Sequence, residues 1–148
     1  MQRLSILAFV ALATHTCSAP VGSPSQCEGW SVGSLAHATG PGSTFSPNDH
    51  VVITWTATDS SVTNIREVDL FSAKDDQFLH TQYRSYPGVS ATAGQLSLTL
   101  TVPLCLQRDG DYYLKVYSSA SGQDMDCSLQ TGSFQITPDP NGDFSQCT

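Results

Sequence analysis

Residues 109–117 read Asp-Gly-Asp-Tyr-Tyr-Leu-Lys-Val-Tyr and decide the fold class of this chain. After the glycine-bearing turn, Tyr112, Leu114 and Val116 fall on one face, and the residues between them fall on the other. Alternation with a period of two is typical of a half-buried β-strand. A tyrosine two residues after the glycine also fits a tyrosine corner, in which the hydroxyl bonds back to the backbone of the turn. The stretch therefore predicts an all-β, immunoglobulin/fibronectin III-like antiparallel β-sandwich.

Further short strands are predicted on both sides of this stretch, separated by turns rich in Gly, Pro and Asp. The predicted strands cover residues 30–38, 51–56, 65–71, 78–83, 96–102 and 133–137. Val51, Ile53 and Trp55 are expected to face the core. The Tyr-Pro-Gly sequence at 86–88 is expected to break the strand before it, and residues 122–130 to form a long acidic connection. The pattern gives about seven strands and no long helical periodicity, as in a Greek-key sandwich.

Length and charge set limits on the class of protein. The 148 residues are enough for one ordinary domain with a substantial core. Acidic residues number 13 against 6 basic ones, which gives a formal net charge of −7, and the basic residues form no cluster. This balance argues against nucleic acid or an anionic membrane surface as a partner.

The N-terminus has the pattern of a secretory signal. Arg3 precedes an apolar run at 4–13, and small residues follow as far as Ala19. The sequence therefore predicts a signal peptide at 1–19, with cleavage within 17–23, and a leader at 20–29. A β-sandwich domain at 30–138 and a short tail at 139–148, tied back by Cys147, complete the predicted organisation. The polar C-terminus provides no membrane anchor, so the protein is expected to be secreted, extracellular or in a cell wall.

The cysteines are expected to form two disulfides. Cleavage that removes Cys17 leaves four cysteines, an even number that suits an oxidising compartment. If sequential strands run antiparallel, Cys27 and Cys127 fall at one pole of the sandwich, and Cys105 and Cys147 at the other. Bridged Cα atoms lie within about 7 Å, much less than the length of a strand. The predicted pairs are therefore Cys27–Cys127 and Cys105–Cys147.

The order of five segments resembles a fungal domain. Residues 51–56, 68–70, 100–103, 110–116 and 132–136 follow one another as in the N-terminal domain of fungal cell-wall synthesis proteins of the killer-toxin-resistance type. The same domain occurs in Ser/Thr-rich, glycosylphosphatidylinositol-anchored fungal wall proteins. The resemblance implies an immunoglobulin-like sandwich, secretion, and a link to β-1,6-glucan or wall organisation without established catalysis.

No catalytic motif is present. The sequence lacks a nucleophile elbow, a zinc-protease motif, a phosphate-binding loop and a Cys-x-x-Cys pair. Most acids fall in turn clusters, where a solvated turn role is expected. His37, His50 and His80 are far apart and lack the spacing of metal ligands. No catalytic residue, metal site or cofactor is therefore predicted, and the protein is expected not to be an enzyme.

The outward face of the deciding strand supplies the candidate ligand-binding residues. Tyr113, Lys115 and Tyr117 point to solvent if the alternate residues fill the core. The two tyrosines are then about 13 Å apart, a spacing that offers stacking platforms to two sugar units. The alternative is that these side chains only pack across strands, with Lys115 against Glu67 or Asp69.

These observations lead to two functional hypotheses. The first is a secreted, non-enzymatic β-sandwich associated with the fungal cell wall or extracellular matrix, which binds a cell-wall polysaccharide such as β-glucan. The second is a secreted protein-interaction factor, either an inhibitor or a host-directed effector, which binds another extracellular protein through residues 122–130. A small wall-active enzyme is a more distant third.

Overall fold

The computed structural model describes residues 28–120 and 123–147. Ten strands are found in this part of the chain: β1 (Ser31–Val32), β2 (Ala36–His37), β3 (Thr44–Phe45), β4 (His50–Thr56), β5 (Val62–Ser72), β6 (Gln77–Ser90), β7 (Gln95–Thr99), β8 (Asp111–Ala120), β9 (Gln123–Gln130) and β10 (Phe134–Ile136). Three single turns of 3₁₀-helix, at Ala91–Ala93, Leu104–Leu106 and Phe144–Gln146, complete its regular structure.

The strands form two sheets that pack face to face. In the smaller sheet, β4 is central, with β7 on one edge and both β1 and β2 on the other. In the larger sheet the order is β3-β10-β8-β5-β6, and β9 pairs with the same edge of β8 as β10. All these pairs are antiparallel except β3–β10, which is parallel. The predicted all-β sandwich is confirmed, whereas its immunoglobulin/fibronectin III-like subtype stays a prediction.

The core lies between the two sheets and contains the side chains that the alternation predicted. Val51, Ile53 and Trp55 of β4 are 0–5% exposed. From the larger sheet, Tyr112, Leu114 and Val116 of β8 join them, together with alternate residues of β5 and β10. Burial of this apolar area is the main stabilising term of the fold.

Tyr112 makes the hydrogen bonds expected of a tyrosine corner. Its side chain is 1% exposed. The hydroxyl donates to the Arg108 carbonyl oxygen at 2.7 Å and accepts from the Arg108 N–H at 3.2 Å. The start of β8 is thereby tied to the turn that precedes it, as the sequence predicted.

Residues 123–130 form a strand, so the long connection predicted at 122–130 is wrong for this part of the segment. Strand β9 pairs with β8 from Gln123 opposite Ala120 to Gln130 opposite Lys115. The pairing gives partners to backbone groups of β8 that a loop would leave unpaired. Residues 125–130 alternate apolar and polar side chains, which is the signal of a strand that the acidic composition obscures. Cys127 is 1% exposed, as that alternation requires.

Strand β6 continues past the Tyr-Pro-Gly sequence that was expected to end it. Ile65 is opposite Val89 and Glu67 is opposite Arg84, so residues 85–88 form a bulge between the two pairs. Strand β6 is the edge strand of its sheet. Proline is tolerated in an edge strand because its missing N–H removes no ladder hydrogen bond there.

Two other predicted strands differ in extent. Residues 30–38 contain the two short strands β1 and β2 in place of one irregular strand. The strand predicted at 96–102 is shorter, since β7 ends at Thr99. A single turn of 3₁₀-helix at Leu104–Leu106 follows β7 in the chain.

The C-terminal tail is tied to the sandwich, as predicted, by the Cys105–Cys147 disulfide. Gln107 adds a second contact, because its side-chain oxygen accepts the Asp139 N–H at 2.9 Å. Cys127 is also disulfide-bonded. Its predicted partner Cys27, the signal peptide and most of the leader lie outside the described residues. Within the described ranges, no helix has the length and apolar character needed to cross a membrane.

Candidate functional site

The predicted binding residues lie on the outer face of the larger sheet, which is the face turned away from the sandwich core. Strands β5 and β8 run side by side here, and the long β5–β6 hairpin brings a third strand alongside. The centre of the outer face is formed by three cross-strand pairs: Phe71–Tyr113, Asp69–Lys115 and Glu67–Tyr117. The three candidate residues therefore share one surface, but their environments differ.

Tyr113 is buried, so the prediction that it is a solvent-exposed stacking platform is wrong. Its side chain is only 6% exposed. The ring stacks on Phe71 with centroids 5.3 Å apart, and Phe78 packs edge-on against Phe71 at 5.8 Å. The hydroxyl donates to Asp76 Oδ1 at 3.1 Å. Burial and this hydrogen bond raise the pKa of the Tyr113 hydroxyl. Its contacts are those of a structural residue.

Lys115 and Tyr117 are half-buried and contact each other. The Lys115 ammonium lies 5.4 Å from the centroid of the Tyr117 ring and 5.9 Å from that of Phe71. These are cation–π distances. Lys115 thus contacts Tyr117 on its own strand and Phe71 on the neighbouring strand, and Tyr117 also lines the groove described below.

Two carboxyls on β5 have opposite pKa shifts. The hydrogen bond from Arg84 lowers the pKa of Glu67, with which Arg84 forms an ion pair across strands. Asp69 is 6% exposed, and burial raises its pKa, partly offset by a hydrogen bond with Thr81. The negative charge of Glu67 also raises the pKa of Asp69.

A groove opens where the outer face meets the bulge of β6. Its volume is about 390 Å³. Tyr86 forms one wall and is 85% exposed. The groove, called the Tyr86 groove below, is lined by Arg66, Glu67, Arg84, Ser85, Tyr86 and Tyr117. It combines an exposed aromatic ring, a half-buried one and an ion pair.

The bulge positions Tyr86 because of one glycine. Gly88 has φ of 95°, in the left-handed region that favours glycine. A Cβ atom on Gly88 would lie 2.1 Å from the carbonyl oxygen of Ile65. The close approach lets β6 rejoin its ladder at Val89, while Tyr86 projects from the edge of the sheet. Tyr86 was not predicted as a site residue, because the Tyr-Pro-Gly sequence at 86–88 indicates only a strand break.

His37, His50 and His80, which lack the sequence spacing of metal ligands, each contact a different partner. Among the described residues, no group of three or more His, Cys, Asp or Glu side chains is arranged to hold a metal ion. The His37 ring stacks on Phe45 with centroids 4.3 Å apart. A ring nitrogen of His37 lies 3.0 Å from the Thr44 carbonyl oxygen, and one of His50 lies 3.3 Å from Thr99 Oγ1. A ring nitrogen of His80 lies 3.4 Å from Gln82 Nε2.

No protein-family model, curated protein or solved structure matches this chain. The resemblance to the fungal cell-wall domain therefore stays a prediction.

Proposed function

We propose that this chain is a secreted, non-enzymatic β-sandwich that binds polysaccharide of a fungal cell wall or extracellular matrix, with β-glucan as the implied ligand. The binding site is the Tyr86 groove. The observation that carries the proposal is the 85% exposed Tyr86 ring, which stands beside a groove with hydrogen-bonding side chains. An aromatic side chain this exposed is costly to hydrate and gains from a partner that covers it.

The groove has the chemistry that a sugar chain requires. A pyranose ring presents C–H groups that stack on an aromatic face, and hydroxyls that bond to carboxylates and guanidinium groups. Tyr86 and Tyr117 supply the aromatic faces, while Glu67 and Arg84 supply the polar atoms. Stacking contributes about 0.5–1.5 kcal/mol per ring pair. Two rings then supply about 1–3 kcal/mol, less than the roughly 4.1 kcal/mol of a 1 mM complex, so retention depends on a repetitive polymer.

Secretion is supported by the cysteine chemistry. The Cys105–Cys147 disulfide is of a kind that persists in oxidising compartments and is rare in the cytosol. Together with the signal-peptide pattern at residues 1–19, it favours an extracellular location.

The test is retention of purified protein on insoluble β-glucan and on chitin. Tyr86→Ala removes the exposed ring and is expected to weaken retention about two- to tenfold, the equivalent of one stacking contact. Phe144→Ala is the matched control, because Phe144 is another exposed aromatic residue, 38% exposed, on the C-terminal tail. Equal retention of wild type and Tyr86→Ala would overturn the proposed site. Absence of retention for the wild type on both polymers would overturn the proposed ligand class.

A protein partner is the second candidate for the same surface. Tyrosine and arginine are the residue types that most often dominate protein–protein binding energy. Tyr86 and Arg84 are both exposed here, and Phe78 on the same strand is 51% exposed. Residues 123–130 form β9, so the loop first considered for this role is not available as a loop. A protein ligand whose binding is lost in both Tyr86→Ala and Arg84→Glu, in the absence of polysaccharide retention, would favour this candidate.

A further inference from the structure

Strand β7 has an open edge, and its hydrogen-bond pattern shows which groups face outward. Gly94 O accepts from Trp55 N at 2.9 Å, and Leu100 N donates to Asp49 O at 2.9 Å, so both residues bond toward β4. In an antiparallel strand every second residue bonds to the same neighbouring strand, and the alternate residues direct their N–H and C=O to the opposite side. The backbone groups of Gln95, Ser97 and Thr99 therefore point away from β4.

The Gln82 side chain bonds to the outward backbone groups just beyond the end of β7, where an added strand would lie. The Gln82 amide accepts the Thr101 N–H and donates to the Thr101 C=O, both at 2.8 Å. Gln82 thus occupies, next to Thr101, the place of a neighbouring peptide group. Farther along the edge, no described residue bonds the outward N–H or C=O of Gln95 or Ser97. The edge is capped at one end and open along the rest.

The β7 edge lacks the features that protect other sheet edges. Natural edge strands are usually kept short, or carry charges, prolines or bulges. Strands β1, β2 and β3 are two residues long, and β6 carries Arg84, Pro87 and three register shifts. Strand β7 is five residues of Gln-Leu-Ser-Leu-Thr with none of these features. The four strands of the smaller sheet contain no Asp, Glu, Lys or Arg, in a chain of net charge −7.

We propose that a second copy of this chain pairs with the open edge, β7 against β7 and antiparallel about a two-fold axis. An added strand must turn apolar side chains toward the core beside Leu96 and Leu98, which are only partly buried. It must place uncharged side chains on the outer face, beside Ser97. Strand β7 meets both requirements itself, and pairing at this uncharged edge avoids the direct contact of like charges.

The proposed dimer is weak and independent of the Tyr86 groove, which lies on the other sheet. Two five-residue strands bury much less than the roughly 1,200–2,000 Å² of a stable interface. Sedimentation equilibrium of the purified protein from about 10 μM to 1 mM covers the affinities expected for so small a contact. The expected result is a reversible monomer–dimer equilibrium.

Two substitutions at one residue test the edge. Ser97→Pro removes an outward N–H without removing a bond to β4, and Ser97→Glu brings two carboxylates together near the two-fold axis. Both variants are expected to keep the wild-type circular dichroism spectrum and to raise the dimer Kd at least tenfold. Thr54→Glu is the matched control, since Thr54 is exposed in the central strand of the same sheet and away from the edge. It is expected to dimerise like the wild type.

Three outcomes would overturn the proposal. The first is a wild-type protein that stays monomeric at about 1 mM. The second is a dimer that persists in folded Ser97→Pro and Ser97→Glu. The third is an equal loss of dimer in Thr54→Glu, which would place the contact on the sheet face and away from the β7 edge.

Discussion

The hydroxyl of Tyr112 is hydrogen-bonded to both backbone groups of Arg108, at 2.7 Å to its carbonyl oxygen and 3.2 Å from its N–H. The Tyr112 ring is at the same time part of the core, 1% exposed and stacked near Phe134. One side chain therefore ties the entry of β8 to the preceding turn and packs on β10, the neighbouring strand of the same sheet. This explains why the stretch around it was the strongest fold signal in the sequence.

We expect Tyr112→Phe to lower the free energy of unfolding by about 1–3 kcal/mol, because it removes two hydrogen bonds with the Arg108 backbone, each contributing about 0.5–1.5 kcal/mol. Tyr113→Phe is the control, since it removes a hydroxyl that bonds only the exposed side chain of Asp76. Urea unfolding measures both. Equal losses for the two variants would contradict a special role for the tyrosine corner.

The core was predictable because burial follows local alternation. Val51, Ile53 and Trp55 follow one another at every second position, and a single buried face explains all three. The same reasoning identified Leu114 and Val116. Register, by contrast, depends on which strands become neighbours, and local periodicity does not contain that information.

The outer face was predicted less well because its environment is set by a distant segment. Tyr113 faces away from the core, as the alternation requires, but Phe71 of β5 covers its ring. Tyr86 was missed because a bulge depends on the close approach of Gly88 to Ile65, which is a tertiary contact. Strand β9 was not predicted because its acidic residues are typical of a loop, although its apolar and polar residues alternate as in a strand.

The two tyrosines of the outer face should differ sharply in their effect on stability. Tyr113→Ala removes a ring that is 6% exposed and stacked on Phe71, so we expect a loss of about 3 kcal/mol. Tyr86→Ala removes a ring that is 85% exposed, so its effect should stay within about 0.5 kcal/mol. Thermal or urea unfolding measures both. A comparable loss for Tyr86→Ala would mean that its ring is needed for the fold.

The Cys105–Cys147 disulfide should contribute strongly to stability. It joins residues 42 apart in sequence. By the chain-entropy argument, closing a loop of that length destabilises the unfolded chain by about 4 kcal/mol. We therefore expect the double variant Cys105→Ser, Cys147→Ser to lose roughly that amount in urea unfolding. Ser145→Ala, in the same tail, is the control and should remain near wild type.

Asp69 should make the folded protein less stable as pH rises, whereas an acid in a surface ion pair makes it more stable. Burial raises its pKa in the folded state, so its proton is held more tightly there than in the unfolded chain. The stabilising effect of this protonation is full below the unfolded pKa of about 3.9 and is lost as pH rises through the folded pKa. Asp69→Asn carries no charge at any pH. We expect it to be more stable than wild type at pH 7, with the gain shrinking toward pH 3.

Asp111→Asn, which changes an exposed carboxyl of β8, controls for the change in net charge in this pH series. Urea unfolding of the three proteins at several pH values gives the comparison. A gain for Asp69→Asn that stays constant between pH 7 and pH 3 would contradict the raised pKa as its cause.

Gly88→Ala should both destabilise the fold and move the proposed binding residue. A Cβ at this position would overlap the Ile65 carbonyl oxygen, a rigid backbone atom 2.1 Å away, and the φ of 95° is strained for alanine. Relief requires the bulge to shift relative to β5, so we expect a loss of at least about 2 kcal/mol and weaker polysaccharide retention. Gly40→Ala is the control, because a Cβ there would have no atom within 4 Å. A Gly88→Ala protein with wild-type stability would show that the bulge accommodates a side chain, and that Tyr86 does not depend on this glycine for its position.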